Sequence, residues 1–169
     1  WNARRLIESG YDVTMLAHRN TMLKHVESRH VPNLERKKID GINVIYLRNR
    51  YDNSMGVLAR AWAFLSFMFR ATITALREKD VNIVIATSTP LTVAVPALLR
   101  KWLRGTPFIF EVRDLWPEVP IQMGAIQNKW MISCLRWFEK ITYINAEHVV
   151  ALSPGMQDGV LQYLPHERT

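Results

Sequence analysis

The chain has 169 residues, of which 49% are hydrophobic and 22% are charged. This length and balance fit one globular domain with a sizeable core, and they exclude a disordered chain. The formal net charge of +7 favours an anionic partner: nucleic acid, a phospholipid surface or a phosphorylated substrate. Nucleic acid is the weakest of the three, because the chain has no arginine-rich arm, zinc finger or RNA-recognition signature.

Cysteine and histidine usage argues against disulfides, metals and cofactors. The single Cys134 excludes an internal disulfide, and its place on a tryptophan-rich helical pattern predicts a buried thiol. The sequence contains neither CxxC nor HExxH, and His18, His25 and His30 lack helical metal-ligand spacing. We therefore predict no metal site and no cofactor, and we expect a reducing, cytoplasmic location.

In chain order, short apolar runs alternate with longer helical patterns. The predicted elements are a helix over 1–9, a strand over 11–17, a loop over 18–40, a strand over 42–47, a helix over 55–79, a strand over 82–86, a helix over 91–103, a strand over 107–112, a helix over 128–146, a strand over 148–152 and a helix from 154. Gly10 and Gly105 are placed to end helices, and Ser153-Pro154 is placed to begin one.

This alternation predicts a Rossmann-like α/β fold, a parallel sheet with helices on both faces. The chain opens inside a helix, and it contains no GxGxxG turn. We therefore expect residues 1–169 to be one domain of a larger protein whose first strand lies outside this sequence.

The most informative stretch is 108–118, a buried strand that ends in polar and charged side chains. Ligands of parallel α/β sheets bind beyond the carboxyl ends of the strands, which makes this edge a candidate site. Asp114 could orient or deprotonate a hydroxyl, and the fork of Arg113 could bind a phosphate or carboxylate. The alternative is an Arg–Asp pair that holds a loop. Glu111, inside the strand, either ties down a loop or faces the ligand.

Two further strand-to-helix turns carry hydroxyl groups. Thr87, Ser88 and Thr89 follow one buried strand, and Ser153 and Gly155 follow another. Hydroxyls and unpaired backbone N–H groups at such turns suit a phosphate or sugar oxygen. Ordinary helix capping explains the same residues, so both interpretations stay open.

Several motifs together make the chain resemble the N-terminal domain of family 4 glycosyltransferases, with a particular likeness to bacterial L-fucosamine transferases of surface-polysaccharide pathways. They are Ser9–Thr14, Asp40–Val44, Tyr51, Asn53 and Gly56, Ile85–Leu91, Phe110–Glu118 and Ala151–Met156. The resemblance covers nearly the whole chain. Many members have His-Asp where this chain has Arg113-Asp114, so the role of that histidine does not carry over directly, because arginine is always protonated.

The resemblance implies half of a two-domain GT-B enzyme that transfers sugar with retention and without a metal. This half would hold the lipid-linked or glycan acceptor, and a missing C-terminal domain would hold most of the nucleotide-sugar donor. The alternative from another class is a non-catalytic Rossmann-like binding or regulatory module.

An anionic membrane surface is a possible partner, and the apolar residues of two predicted helices either contact it or form part of the core. In the helix over 55–79, a stripe that includes Leu58, Trp62, Leu65 and Phe69 is predicted to face the sheet. Phe64 and Phe67 would then lie opposite, near arginines, where they either contact anionic lipid or are buried by other segments. In the helix over 128–146, the stripe of Trp130, Cys134, Trp137, Ile141 and Ile144 is predicted to be core.

Overall fold

A computed structural model describes residues 2–20, 34–49, 55–88, 90–124 and 126–164. The chain divides into two compact units, residues 1–71 and 72–169. The predicted positions Tyr51, Asn53, Thr89, His25 and His30 lie outside the described residues.

The first unit opens with helix α1 (Asn2–Glu8), which ends as the sequence predicts. Gly10 has a φ of 86°, a left-handed conformation that glycine adopts without steric cost. The Gly10 amide donates to the carbonyl of Ile7 at 2.9 Å, and the Tyr11 amide donates to that of Leu6 at 3.0 Å. These two bonds satisfy carbonyls that the helix end would otherwise leave unpaired.

The described part of this unit continues with three strands: β1 (Thr14–Asn20), β2 (Leu34–Ile39) and β3 (Ile42–Asn49). β3 lies in the middle, parallel to β1 and antiparallel to β2. The prediction of a loop over 18–40 is therefore wrong at both ends, because β1 continues to residue 20 and β2 begins at residue 34.

The charged strand β2 owes its place to a hairpin rather than to hydrophobic alternation. Asp40 and Gly41 form a two-residue turn with φ values of 49° and 86°, and Ile39 pairs with Ile42 across it. Two positive φ values match the twist of a tight hairpin. Lysines and arginines are common on an edge strand, since its outer side faces water. A hydrophobic pattern cannot reveal such a strand.

Helix α2 (Val57–Arg77) buries a different face from the predicted one. Phe67 packs on the small core formed by Ile45, Leu47 and Ala71, which supports burial over contact with lipid, the two alternatives that the sequence left open. Trp62, Leu65 and Phe69, predicted to face the sheet, are exposed by 73%, 47% and 65%. The side chain of Leu58 is outside the described set. In the described part of the chain, no helix is both long and apolar enough to cross a membrane.

The second unit consists of a parallel sheet flanked by helices, as predicted. Its elements are β4 (Val84–Thr87), a short 3₁₀ turn (Leu91–Val93), α3 (Ala94–Arg104), β5 (Phe108–Val112), α4 (Glu118–Gln122), α5 (Lys129–Asn145), β6 (His148–Ala151) and α6 (Pro154–Leu161). The strand order is β4-β5-β6, and both pairings are parallel. Parallel pairing with helical crossovers is the Rossmann-like α/β arrangement.

The core of this unit lies on one face of β5. Phe108, Phe110 and Val112 alternate along the strand and are fully buried. They pack with Leu98 of α3, Tyr143 of α5 and other apolar residues. Burying one such side chain contributes about 1.5–3 kcal/mol, so this face holds the unit together.

The helix ends predicted at Gly105 and Ser153 are confirmed, and Asn128 adds a cap that the sequence analysis did not single out. Gly105 closes α3 in the left-handed conformation, with a φ of 69°. The side chain of Asn128 caps α5 by accepting from the amides of Trp130 and Met131. Ser153 caps α6 and Pro154 follows it at the first helical position.

Part of the basic cluster in α3 is used inside the fold. Arg100 is buried and donates to the carbonyls of Ala75 and Glu78 at the end of α2, and to the hydroxyl of Thr106. A cation there satisfies helix-end carbonyls and complements the helix dipole. Burial lowers the pKa of Arg100, although this guanidinium stays charged.

Helix α5 also buries a face that the sequence does not predict. Trp130, Cys134, Trp137 and Ile144 are exposed, so the prediction of a core stripe and a buried thiol is wrong at these positions. Ile141, the remaining member of that stripe, packs against the core as predicted. The buried face instead carries Glu139, Thr142 and Tyr143, packed beside Phe138 and Ile141.

These buried polar groups find partners within the helix itself. Thr142 Oγ1 donates to the carbonyl of Phe138 at 2.9 Å, and the hydroxyl of Tyr143 donates to Glu139 Oε1 at 2.9 Å. A polar group that is hydrogen-bonded can be buried at little net cost. Burial nevertheless raises the pKa of Glu139 to about 6, against the opposing effect of hydrogen bonds from Tyr143 and Tyr163.

The raised pKa of Glu139 predicts a specific pH dependence of stability. The folded protein holds this proton more tightly than the unfolded chain, whose carboxyl has a pKa of 4.5. The protonated carboxyl of Glu139 therefore makes its full contribution to the free energy of unfolding below pH 4.5. This contribution is lost as the pH rises through about 6. Glu139→Gln should remove this loss. The melting temperature of the variant, relative to that of the wild type, should therefore rise between pH 4.5 and 7.

Glu147→Gln is the matched control, because Glu147 is exposed. It should leave the shape of the pH profile unchanged. A Glu139→Gln profile parallel to that of the wild type would contradict the assignment.

Candidate functional site

The carboxyl ends of β4, β5 and β6 lie side by side at one edge of the second sheet. In register, Thr87 pairs with Glu111, and Val112 pairs with Ala151. The polar residues that follow these strands are therefore neighbours along this edge. The structure thus brings together predicted site residues that are up to 68 positions apart in the sequence, from Thr87 to Gly155.

Ser88 holds the backbone at this edge through hydrogen bonds. It is buried, and its amide donates to the carbonyl of Glu111 at 2.8 Å. Its hydroxyl oxygen accepts from the amide of Arg113 at 2.8 Å and from that of Asp114 at 3.4 Å. Ser88 therefore fixes the backbone on which both predicted catalytic side chains stand.

Glu111 anchors the side chain of Arg113. Its carboxylate is nearly buried, and Oε1 accepts from Arg113 Nε at 3.3 Å. The arginine side chain is 57% exposed. Of the two alternatives for Glu111, the structure supports the first: the carboxylate ties down a neighbouring side chain. The fork of Arg113 remains suited to a phosphate or carboxylate.

Asp114 lies next to Arg113 on the same loop and is exposed. A carboxylate in this position can accept a hydrogen bond from a substrate hydroxyl. The adjacent guanidinium can at the same time donate to an anionic group of the same ligand. The pair can therefore bind a molecule that carries both a hydroxyl and an anion.

The remaining predicted residues differ in what the structure gives them. Thr87, the last residue of β4, is half-buried, and Thr89 lies outside the described residues. Ser153 Oγ accepts from the Met156 amide at 3.3 Å, which is the helix-capping alternative. Gly155 is exposed, and an added Cβ there would meet no atom within 4 Å.

Leu115 and Gly159 are positioning residues that the sequence did not single out. A Cβ on Gly159 of α6 would lie 2.9 Å from Leu115 Cδ2. The missing side chain lets Leu115 pack against α6 and holds the loop directly after Asp114. The signal was a glycine inside a predicted helix, which costs about 1 kcal/mol and marks a close approach.

Two other groups frame this region. Glu118 stands in the first turn of α4, where the helix dipole stabilises an anion, and Arg136 of α5 donates to it at 3.2 Å. Among the residues that the structure describes, no three His, Cys, Asp or Glu side chains form a group that could hold a metal ion.

The role of Ser88 can be tested directly. Ser88→Ala removes the buried hydroxyl that accepts hydrogen bonds from the amides of Arg113 and Asp114. This loss should lower the free energy of unfolding by about 1–3 kcal/mol. Hydrogen exchange at the amides of Arg113 and Asp114 should become faster. Ser133→Ala, at an exposed serine of α5, should change stability by less than about 0.5 kcal/mol. Unchanged hydrogen exchange at the Arg113 amide in the Ser88 variant would show that Ser88 does not hold this part of the backbone.

The family of the chain follows from comparison with known proteins. No curated protein matches the chain. The family model described as the glycosyl transferase 4-like domain matches residues 1–169. The chain, with its parallel α/β sheet and its polar strand edge, therefore belongs to the glycosyl transferase 4-like family.

Proposed function

We propose that this chain is the acceptor-side half of a retaining, metal-independent glycosyltransferase of bacterial surface-polysaccharide synthesis. The observation that carries the proposal is the pairing of Asp114 and Arg113 on one loop, held by Ser88 and Glu111. Retention, metal independence and the pathway rest on the resemblance to family 4 enzymes. Family membership supports glycosyl transfer in general.

In this proposal Asp114 and Arg113 divide the work on the acceptor. The carboxylate of Asp114 accepts a hydrogen bond from the acceptor hydroxyl and orients its oxygen toward the anomeric carbon of the donor. The new glycosidic bond forms as the bond to the nucleoside diphosphate breaks, and the proton of the acceptor hydroxyl passes to the carboxylate of Asp114. Arg113 cannot serve as a base, so its fork binds the phosphate of a lipid-linked acceptor or an acidic group of a glycan.

The nucleotide-sugar donor binds mainly to a second domain of the intact enzyme. Thr87, Ser153 and Gly155 line the same strand edge and complete the sugar-facing surface. We place the reaction in the cytoplasm, at the inner face of an anionic membrane, since a lipid-linked acceptor would reside there. The net charge of +7 and the unpaired Cys134 support this location.

Asp114→Asn tests the catalytic role in the intact enzyme. It keeps the shape of the side chain but removes the charge, and turnover should fall by about 10²-fold or more. The melting temperature should change little, because Asp114 is exposed. Asp158→Asn, at an exposed aspartate of α6, is the control and should keep full turnover.

Normal turnover in the Asp114 variant would remove this residue from the mechanism. An intact protein that binds the acceptor without transferring any sugar would instead favour the alternative, a non-catalytic Rossmann-like binding or regulatory module.

The division of labour between domains makes a second prediction. Titration calorimetry of the 169-residue chain with uridine and guanosine diphosphate sugars should show binding weaker than about 1 mM, because most donor contacts belong to the other domain. Micromolar binding would place the donor site on this chain and overturn the division.

A further inference from the structure

Helix α5 presents an aromatic surface that the proposed chemistry does not use. Trp130 and Trp137 are 85% and 63% exposed, and the exposed Cys134 lies between them. At about 100° per residue, positions 130, 134 and 137 fall within one narrow arc of the helix. We call these three residues the indole face. It lies opposite Glu139, which is buried against the core.

Cations predominate around the indole face. Lys129 and Lys140 are exposed along one flank, and Arg136 follows beyond them, partly neutralised by Glu118. The sequence of α5 contains one carboxylate, Glu139, which is buried on the far side of the helix. The exposed side of α5 therefore combines large apolar rings with cations and offers no anion.

A third tryptophan lies at the far end of the helix. Trp102 of α3 is 54% exposed, and its indole nitrogen donates to Asn145 Oδ1 at 3.0 Å. Its neighbours Leu103 and Arg104 are exposed as well. Apolar and cationic side chains thus stand at both ends of α5.

We propose that the indole face, with Lys129 and Lys140, docks on an anionic phospholipid surface. Indole rings prefer the boundary between headgroups and acyl chains, where the apolar ring and its N–H are both accommodated. Lysines beside them attract acidic headgroups. A protein partner fits this composition less well, because lysine is depleted in the cores of protein interfaces. This proposal deepens the proposed membrane location, but it does not require sugar transfer.

The test is sedimentation of the 169-residue chain with vesicles of phosphatidylcholine alone, or of phosphatidylcholine and phosphatidylglycerol at three to one. The wild type should bind the anionic vesicles, and Trp130→Ser/Trp137→Ser should weaken binding at least tenfold. Each of Lys129→Gln and Lys140→Gln should weaken it about fivefold, the contribution of one cation near the surface. High salt should reduce the wild-type affinity.

Trp62→Ser is the matched control, since Trp62 of α2 has a similar exposure of 73%. It should bind the vesicles like the wild type, and circular dichroism should show that all variants stay folded. A nitroxide on Cys134, the single cysteine, should lose access to a water-soluble quencher when anionic vesicles are added.

Three outcomes would overturn the proposal. The wild type could fail to bind anionic vesicles, or the Trp62 variant could lose binding while the double variant keeps it. Light scattering could also show a dimer that the double variant abolishes, without vesicle binding, which would assign the face to a second copy of the chain. Because none of these measurements involves sugar transfer, the transferase proposal can fail or hold independently.

Discussion

The hydroxyl of Ser88 accepts hydrogen bonds from the first two amides that follow β5, and the position of the candidate site depends on these two bonds. Beyond the last residue of a strand, the sheet ladder no longer supplies partners for the backbone. A buried N–H left without one costs about 1–3 kcal/mol. The side chain of Ser88, the residue directly after the neighbouring strand β4, meets that need and thereby fixes the direction in which the chain leaves the sheet. Arg113 and Asp114 project from a backbone that is already set.

The side chains of β5 alternate between the two faces of the sheet, so the residues that form the core are separated from those that support the candidate site. Side chains of a strand point to opposite faces in turn. Phe108, Phe110 and Val112 fill the core on one face, while Glu111 lies on the other face and binds Arg113. The aromatic residues anchor the strand rigidly, so the ion pair at its end is held by the core of the whole unit. Leu115, packed on Gly159, secures the loop on its far side.

The distribution of charge follows a similar logic. Several cations that raise the net charge serve the fold, as Arg100 does at the end of α2 and Lys101 does by donating to the carbonyl of Asn145. Others remain on the surface, among them Lys129 and Lys140 beside the indole face. The overall charge of the chain therefore overstates the charge that is left for a partner, because part of it is used inside the fold.

The sequence by itself determined most of the elements, their order and their ends. Helix ends at Gly10, Gly105, Asn128 and Ser153 follow from local rules, because a cap involves only a few consecutive residues. The α/β fold and the strand edge at 111–114 were also predicted, since buried parallel strands have a strong local pattern. The family was predicted from the resemblance of several motifs along the chain.

Only the tertiary structure decided which helical stripe is buried. In α2 and α5 two apolar stripes compete, and the period of a helix gives their spacing but not the face that meets the sheet. In α5 the less apolar face was buried, because Glu139 and Thr142 satisfy their polar groups within the helix and Tyr143 fills the core. The hairpin strand β2 and the bond from Ser88 to the Arg113 amide likewise depend on pairing between separate segments. Such contacts join residues distant in sequence, and no local pattern specifies them.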